Sequence, residues 1–268
     1  MQKFGIGSTL SRTFNLAGRG FGSAGLFLLV AQVISAAFNY VVQPLMLGDI
    51  TAATADPTDP AAALGIFTSV WYWGTLLFGV GMSALMYGGS IHGYLRAARG
   101  VEASLTECFE KSVTVLLPLI GLTILWWLGI SLGLMLLVVP GLILLAMWAA
   151  AMPAMIGEGT GVIESFARSR ELTRGYRLKV FFFLLLFLVV FYLVFAVLIG
   201  GLVGGASLSG MMGAMQTEAA TSPLYLAVTG LLGWGFTMLI SAALAAVYLE
   251  LLEIKDGSQS GPLADVFE

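Results

Sequence analysis

The chain alternates between long apolar stretches and four short clusters that hold all twelve of its lysines and arginines. The clusters are Lys3, Arg12 and Arg19; Arg96, Arg99 and Lys111; Arg168, Arg170, Arg174, Arg177 and Lys179; and Lys255. Cationic residues next to membrane spans are retained in the cytoplasm. The other connecting segments contain no base, so all clusters can lie on one side of a membrane. The pattern predicts a multi-pass membrane protein with both termini in the cytoplasm.

Composition supports a lipid environment for most of the chain. Charged residues make up 10% of the sequence and hydrophobic residues 59%, whereas a soluble domain typically has about 25% charged residues. Polar surface is therefore too scarce to cover a globule of this size in water. The net charge of −3 is small, and we expect no nucleic-acid partner.

Six apolar stretches reach or approach the ~20 residues that a helix needs to cross the hydrocarbon core. They cover residues 21–42, 64–92, 113–138, 141–157, 180–206 and 224–252. Spans three and four are divided at Val139-Pro140-Gly141, because Pro lacks a donor N–H and Gly is conformationally permissive. The prediction is an all-α fold: a single polytopic helical bundle over residues 1–254, with a polar cytoplasmic tail over 255–268.

A short amphipathic segment precedes each outward-going span. The segments cover residues 5–19, 100–112 and 161–176. In the first two, apolar residues four positions apart share a helical face: Leu10 and Phe14, and Leu105 and Phe109. Acceptor side chains that can cap or complement a helix start occur in all three: Ser8, Ser104 and Glu164. The pattern predicts three hairpin repeats, each an interfacial helix with basic groups facing lipid phosphate, an outward span and a return span; ordinary amphipathic connectors are the alternative.

Polar residues inside the spans are few, and such residues are functional candidates because they are costly to bury in lipid. Gln32 and Asn39 lie seven positions apart on one face of the first span. They form a possible polar intramembrane site, with a bond to a neighbouring helix as the alternative. His92, the only histidine, lies at the inner end of the second span, where packing or headgroup contact is expected more than proton relay.

Charged residues at the inner ends of spans give two further candidates. Glu250 and Glu253 are three positions apart at the end of the sixth span; they could bind a cation or pair with Arg96 or the cluster around Arg168, or form a solvated helix end. The richest basic cluster is a candidate lipid-headgroup-binding site, with orientation by charge alone as the alternative. Its members are Arg168, Arg170, Arg174, Arg177 and Lys179.

Residues for catalysis or metal binding are scarce. One His and the single Cys108 stand in distant segments, and metal sites need clustered ligands. No phosphate-binding loop, nucleophile elbow or pair of catalytic carboxylates is evident. We therefore expect no metal, no cofactor and no enzymatic activity.

Three stretches suggest a family: FGIGSTLSRTFNLAGRGF at the start, VVPGLILLAMW in the middle, and EGTGVIESFARSRELTRGYRLKVF after it. Together they resemble the membrane domain of glycerophosphoryl diester phosphodiesterases and related six-span bacterial membrane proteins of unknown function. The resemblance covers nearly the whole chain. Its most specific part follows the Pro140-Gly141 pair and comprises Glu158, Gly161, Ser165, Ser169 and Arg174 to Arg177. It implies a module of the bacterial inner membrane without the soluble hydrolytic domain, and it offers no functional residues to carry over.

These observations favour a non-catalytic integral inner-membrane protein, acting as an accessory or scaffold in lipid or envelope handling or as a subunit of a larger membrane complex. Its expected partners are anionic membrane lipids and either another membrane protein or further copies of itself. The alternative is a transporter or exporter of a small amphipathic or lipid-like solute, for which Gln32 and Asn39 are the available polar contacts.

Overall fold

The computed structural model describes residues 4–53, 67, 69–203 and 223–257. These residues form helices and no strand, which confirms the predicted all-α bundle. In chain order the helices are α1 (Ile6–Arg19), α2 (Leu26–Ala53), α3 (Val70–Ala98), α4 (Leu105–Thr114), α5 (Leu116–Leu136), α6 (Val138–Met147), α7 (Ala151–Glu158), α8 (Val162–Thr173), α9 (Arg177–Val203) and α10 (Pro223–Leu252). Two π-helical turns, Phe21–Gly25 and Glu253–Gly257, connect α1 to α2 and follow α10.

Six helical stretches in the described ranges are long and apolar enough to cross a membrane. They are Phe21–Met46, Val70–Ala98, Leu116–Leu136, Val139–Glu158, Arg177–Leu198 and Ala227–Asp256. The chain is thus a multi-pass membrane protein. Parts of the predicted boundaries lie outside the described residues: 64–66 of the second span, 204–206 of the fifth, and the tail from 258 onward.

The predicted hairpin between spans three and four is present, but its turn lies earlier than expected. Only Leu137 is extended (φ −159°, ψ 140°), and α6 starts at Val138. Pro140 therefore lies in the first turn of α6, where its missing N–H leaves no intrahelical bond unmade. The two helices pack closely, since a Cβ on Gly133 would lie 2.9 Å from the Cα of Gly141.

The fourth span is not the continuous helix that was predicted over 141–157. It breaks between Met147 and Ala151, so that α6 and α7 are separate helices. Pro153 explains the break: in a continuous helix its ring would clash with the carbonyl of Ala149, whereas the first turn of α7 accepts it. The sequence carried this signal, and the prediction of one helix was wrong.

Three similar units make up the bundle. Each consists of a short helix (α1, α4 or α8), a long helix that leads away from the short helices (α2, α5 or α9) and a return segment (α3, α6–α7 or α10). The return elements α3, α7 and α10 contact one another in the centre. Each short helix packs on the return helix of the preceding unit: α4 on α3, α8 on α7, and α1 on α10. The three units therefore form a closed ring; the repeated pattern predicted the three units but not the closure.

Glycines with positive φ make the chain reversals around the short helices. Gly100 (φ 74°) precedes α4, Gly159 (φ 67°) ends α7, and Gly175 (φ 92°) separates α8 from α9. A side chain at these angles is strained because Cβ crowds the backbone. The reversals at Gly100 and Gly159 bring α4 and α8 to the end of the bundle at which α3, α7 and α10 terminate, and α1 packs on α10 at the same end, here called the short-helix face.

Candidate functional site at the short-helix face

The short helices bury a stripe of small, mostly hydroxyl-bearing side chains against the bundle. The stripes repeat every four residues: Thr9, Thr13 and Ala17 in α1; Cys108 and Ser112 in α4; Ser165, Ser169 and Thr173 in α8. Small residues let helices approach closely where lipid gives no hydrophobic drive between them. A Cβ on Gly89 of α3 would lie 2.5 Å from the Ser112 Oγ, so α4 approaches closely enough to need a glycine there.

Large apolar side chains lie on the opposite side of these helices. Phe14 of α1 is 56% exposed, Phe109 of α4 is 52% exposed and Ile163 of α8 is 70% exposed. Exposed apolar patches mark contact with a membrane or a partner.

Hydroxyls of the buried stripes bond backbone groups of the return helices. Ser112 donates to the carbonyl of Leu85 at 2.9 Å. Ser169 donates to the carbonyl of Met147 at 2.8 Å and accepts from the amide of Ala150 at 3.1 Å. The latter two groups flank the break in the fourth span, so α8 satisfies backbone atoms for which lipid offers no partner.

The start of α1 is held by a carboxylate from the other end of the chain. Glu250 of α10 is 8% exposed. Its Oε1 accepts from the amide of Gly5 at 3.1 Å and from the hydroxyl of Ser8 at 2.8 Å, and its Oε2 accepts from the hydroxyl of Thr9. Gly5 precedes α1 and has no capping side chain. Glu250 therefore caps the helix in place of a local residue, and its negative charge complements the helix dipole.

The second carboxylate of this pair also binds α1. Glu253 makes a two-pronged ion pair with Arg12, in which Nη1 lies 2.9 Å from Oε2 and Nη2 contacts Oε1. The sequence-based pairing of Glu250 and Glu253 with Arg96 or the Arg168 cluster was wrong. Helix α1 packs along α10 and presents its own donors to both carboxylates. Ser8, expected to cap its helix, instead donates to Glu250.

Arg168 lies at the centre of an ionic network that joins α7, α8 and α10. Its Nε is 3.1 Å from both carboxylate oxygens of Glu158, its Nη2 binds Asp256, and its Nη1 is 3.5 Å from Glu171. The hydroxyl of Tyr248 donates to Glu158 at 2.9 Å. Burial disfavours the charged guanidinium, yet hydrogen bonds to Asp256 and Glu158 outweigh it and raise the pKa of Arg168.

The remaining members of the predicted headgroup cluster divide into two groups. Lys179 is exposed, but its Nζ is bound to the protein, where it donates to the carbonyl of Phe4 at 3.0 Å. Arg177 is half-buried. Arg170 and Arg174 are exposed, and neither makes an ion pair with the described residues. These two arginines are the members of the cluster that face away from the protein.

The structure shows no contact between Gln32 and Asn39, the two residues of the predicted polar site in the first span. Asn39 is exposed and donates to the carbonyl of Ser35 in its own helix at 2.8 Å. Gln32 is half-buried beside α10, where a Cβ on Gly233 would lie 3.4 Å from its Nε2. His92 is half-buried in α3, one turn before Arg96, and Arg96 lies 3.7 Å from Glu107 of α4.

The rate at which the thiol of Cys108 is labelled tests whether α4 packs on α3. Its side chain is fully buried, and burial, followed by the nearby charge of Glu107, raises the pKa of the thiol to about 11. Only the thiolate reacts with maleimide, so at about pH 8 the folded protein should label very slowly, and the rate should rise only as the pH approaches this pKa. After denaturation in dodecyl sulfate the same thiol should label at the rate of a free cysteine. Ser11→Cys in a Cys108→Ala background supplies an exposed control, and fast labelling of native Cys108 would contradict the packing of α4 on α3.

Sequence reasoning did not identify Glu158, Glu171 and Asp256 as partners of Arg168, or Tyr248 as a donor to Glu158. Within the described ranges, no three His, Cys, Asp or Glu side chains are grouped so that they could hold a metal ion.

In comparisons with known proteins, the chain matches no family model, and no curated protein or solved structure is significantly similar to it.

Proposed function

We propose that this chain is a non-catalytic protein of the bacterial inner membrane that binds anionic lipids at the cytoplasmic surface. In this role it serves as an accessory or scaffold in lipid or envelope handling, or as a subunit of a larger membrane complex. The observation that carries the proposal is the polarity of the short-helix face. Its small hydroxyl residues point into the bundle, while the apolar side chains of Phe14, Phe109 and Ile163 and the exposed arginines Arg19, Arg170 and Arg174 point out. The resemblance to the phosphodiesterase membrane domain remains a prediction that fits this role.

The distribution of positive charge supports a cytoplasmic position for the short-helix face. Every described Lys and Arg lies in a short helix, directly beside one, or just after α10. Because cationic residues near spans remain in the cytoplasm, this face would meet the inner leaflet, whose anionic lipids attract basic groups. Both termini would then also be cytoplasmic.

Arg170 and Arg174 are the residues that we propose contact the anionic headgroups. Each basic side chain near such a surface contributes about 1 kcal/mol. Replacing either one by Gln should therefore reduce the preference for phosphatidylglycerol over phosphatidylcholine by about fivefold, and replacing both should reduce it further. The preference is measured in mixed-lipid nanodiscs by native mass spectrometry of the lipids that the protein retains.

Lys255→Gln provides the matched control, because it also removes one exposed positive charge at the same end of the bundle. Any fall in the preference in this variant measures the general effect of charge, and the falls in Arg170→Gln and in Arg174→Gln should each be larger. An equal loss in all three single variants would indicate attraction by overall charge, and no loss in the double variant would contradict the proposed headgroup contact.

A further inference from the structure

An apolar groove of about 470 Å³ runs between α9 and α10 and ends on α1. Leu10 and Phe14 of α1 close it at the short-helix face. Five residues of α9 between Leu186 and Val194, and five of α10 between Leu231 and Leu239, form its walls. All the lining side chains are aliphatic or aromatic, apart from Gly235, so the groove offers no side-chain hydrogen bond to an occupant.

Two neighbouring residues of α10 explain why the groove exists. Phe236 packs on Phe191 of α9, with ring centroids 4.0 Å apart. These rings hold the helices apart, while the adjacent Gly235 contributes no side chain to fill the space. A Cβ added at Gly235 would meet no heavy atom within 4 Å. The groove is therefore open at this level and can accept a chain of carbon atoms.

The height of the groove corresponds to one leaflet of a bilayer. Its walls extend over nine residues of each helix, a rise of about 12 Å at 1.5 Å per residue. Half of the hydrocarbon core is about 15 Å thick, and the groove, which begins at α1, has nearly that length. Val190 is 51% exposed and Leu231 is 58% exposed, which shows that the groove is open along its side, where lipid chains lie.

The other side of α1 carries a polar hollow of about 430 Å³. It is lined in part by Ser8, Ser11, Arg12, Asn15 and Arg19. Arg12 is bound by Glu253, whereas the exposed side chain of Arg19 and the neighbouring hydroxyl and amide groups are suited to phosphate oxygens. The helix α1 thus lies between an apolar groove and a polar hollow. A phospholipid likewise combines an apolar acyl chain with a polar phosphate headgroup.

We infer that the groove holds one acyl chain of a phospholipid in the leaflet beside the short-helix face, with the headgroup on the polar side of α1. The inference rests on the proposed lipid-binding function and adds a site on α1 to the headgroup contacts at Arg170 and Arg174. Since lipid chains are as apolar as the groove, binding is selective through packing and headgroup contacts rather than through the hydrophobic effect. The site should therefore retain a lipid only while its shape is intact.

The test uses the full chain in nanodiscs that contain a phosphatidylglycerol with a photoactivatable diazirine in its acyl chain. After illumination, peptide mapping should find cross-links concentrated between Leu186 and Val194 and between Leu231 and Leu239. Exposed positions of α5, such as Leu128 and Leu132, report the background of ordinary lipid contact. Equal cross-linking of α5 and the groove would overturn the inference, as would cross-links that join two protein chains through the groove.

A graded series at Gly235 shows whether the groove itself is responsible. Gly235→Ala, Gly235→Leu and Gly235→Phe should lower cross-linking of the groove progressively, and the Phe variant should reach the α5 background. Gly230→Phe is the matched control, because a Cβ at Gly230 also meets no heavy atom within 4 Å and Gly230 does not line the groove. If the Phe variant does not fold, the Ala and Leu variants still provide the test. Cross-linking of the groove that is unchanged in both the Ala and the Leu variant would refute the site. The outcome is separate from headgroup preference at Arg170 and Arg174, because those variants leave the groove intact.

Discussion

Replacing Glu250 by alanine is expected to release α1 from the bundle and to lower the free energy of unfolding by about 3 kcal/mol, because hydrogen bonds to a charged group contribute about 1.5–3 kcal/mol each and are not additive. The carboxylate accepts from the Gly5 amide and from the hydroxyls of Ser8 and Thr9. Its removal leaves the Gly5 amide without this acceptor and takes the carboxylate partner from the buried Thr9, whose hydroxyl still reaches the Gly5 carbonyl. Glu250→Gln keeps the shape but loses the charge and turns one acceptor into a donor, so its effect should be intermediate.

The measurement is equilibrium unfolding in mixed detergent and dodecyl sulfate, combined with limited proteolysis at α1. Glu253→Ala is the matched control, because it removes the neighbouring ion pair with Arg12, in which both side chains are partly exposed. Exposed pairs contribute about 0–1 kcal/mol. If the two variants lost equal stability, or if α1 remained protected in Glu250→Ala, the capping role of Glu250 would be wrong.

Replacing Glu158 by alanine should cost somewhat less than breaking a fully buried ion pair, which typically costs 3–5 kcal/mol, because the side chains of Arg168 and Glu158 are 21% and 18% exposed. The upper part of that range is not expected here, since Asp256 and Glu171 still neutralise Arg168. Tyr248 would also lose its acceptor. The stability of Glu158→Ala is measured by the same unfolding transition, with Glu171→Ala, which removes the most exposed partner of Arg168, as the control.

A double-mutant cycle with Arg168→Met separates the ion pair from general damage to packing. Residues that share a network show coupling of about 0.5–3 kcal/mol. Glu158→Ala should therefore be much less harmful when Arg168 is already Met, because no charge is then left alone. Additive losses would mean that the contact in the structure does not contribute to stability.

Hydropathy and charge were sufficient to predict the six spans and the three short helices. The length of each apolar stretch is set by the thickness of the membrane, and the positions of the basic clusters constrain the topology. Both can therefore be predicted from short stretches of sequence. The face that each short helix turns toward the bundle was harder to assign. Leu10 and Phe14 form the more evident pattern, yet the buried stripe contains Thr9 and Thr13, because in lipid close packing favours small residues over large apolar ones.

The contacts of the ionic residues could not be obtained from sequence spacing. Glu250 and Gly5 are 245 positions apart, and Tyr248 and Glu158 are 90 apart. Only the closed ring of three units brings them together. A span-end carboxylate looks solvated when one helix is considered alone, and its burial depends on which short helix covers it. The break of the fourth span differs in this respect, since Pro153 marks it locally.

The ring also orders the events by which a newly made chain becomes complete. Chains are synthesised from the N-terminus. Helices α4 and α8 dock on helices that immediately precede them in the chain: Ser112 of α4, for example, is only 27 positions from its acceptor Leu85. Helix α1 emerges first, but its acceptor Glu250 lies on α10, the final helix of the ring. Until α10 is inserted, α1 has no α10 to pack on and lies on the membrane surface as an amphipathic helix. In a chain truncated before α10, α1 therefore remains undocked and open to proteolysis, whereas in the full-length protein it is docked.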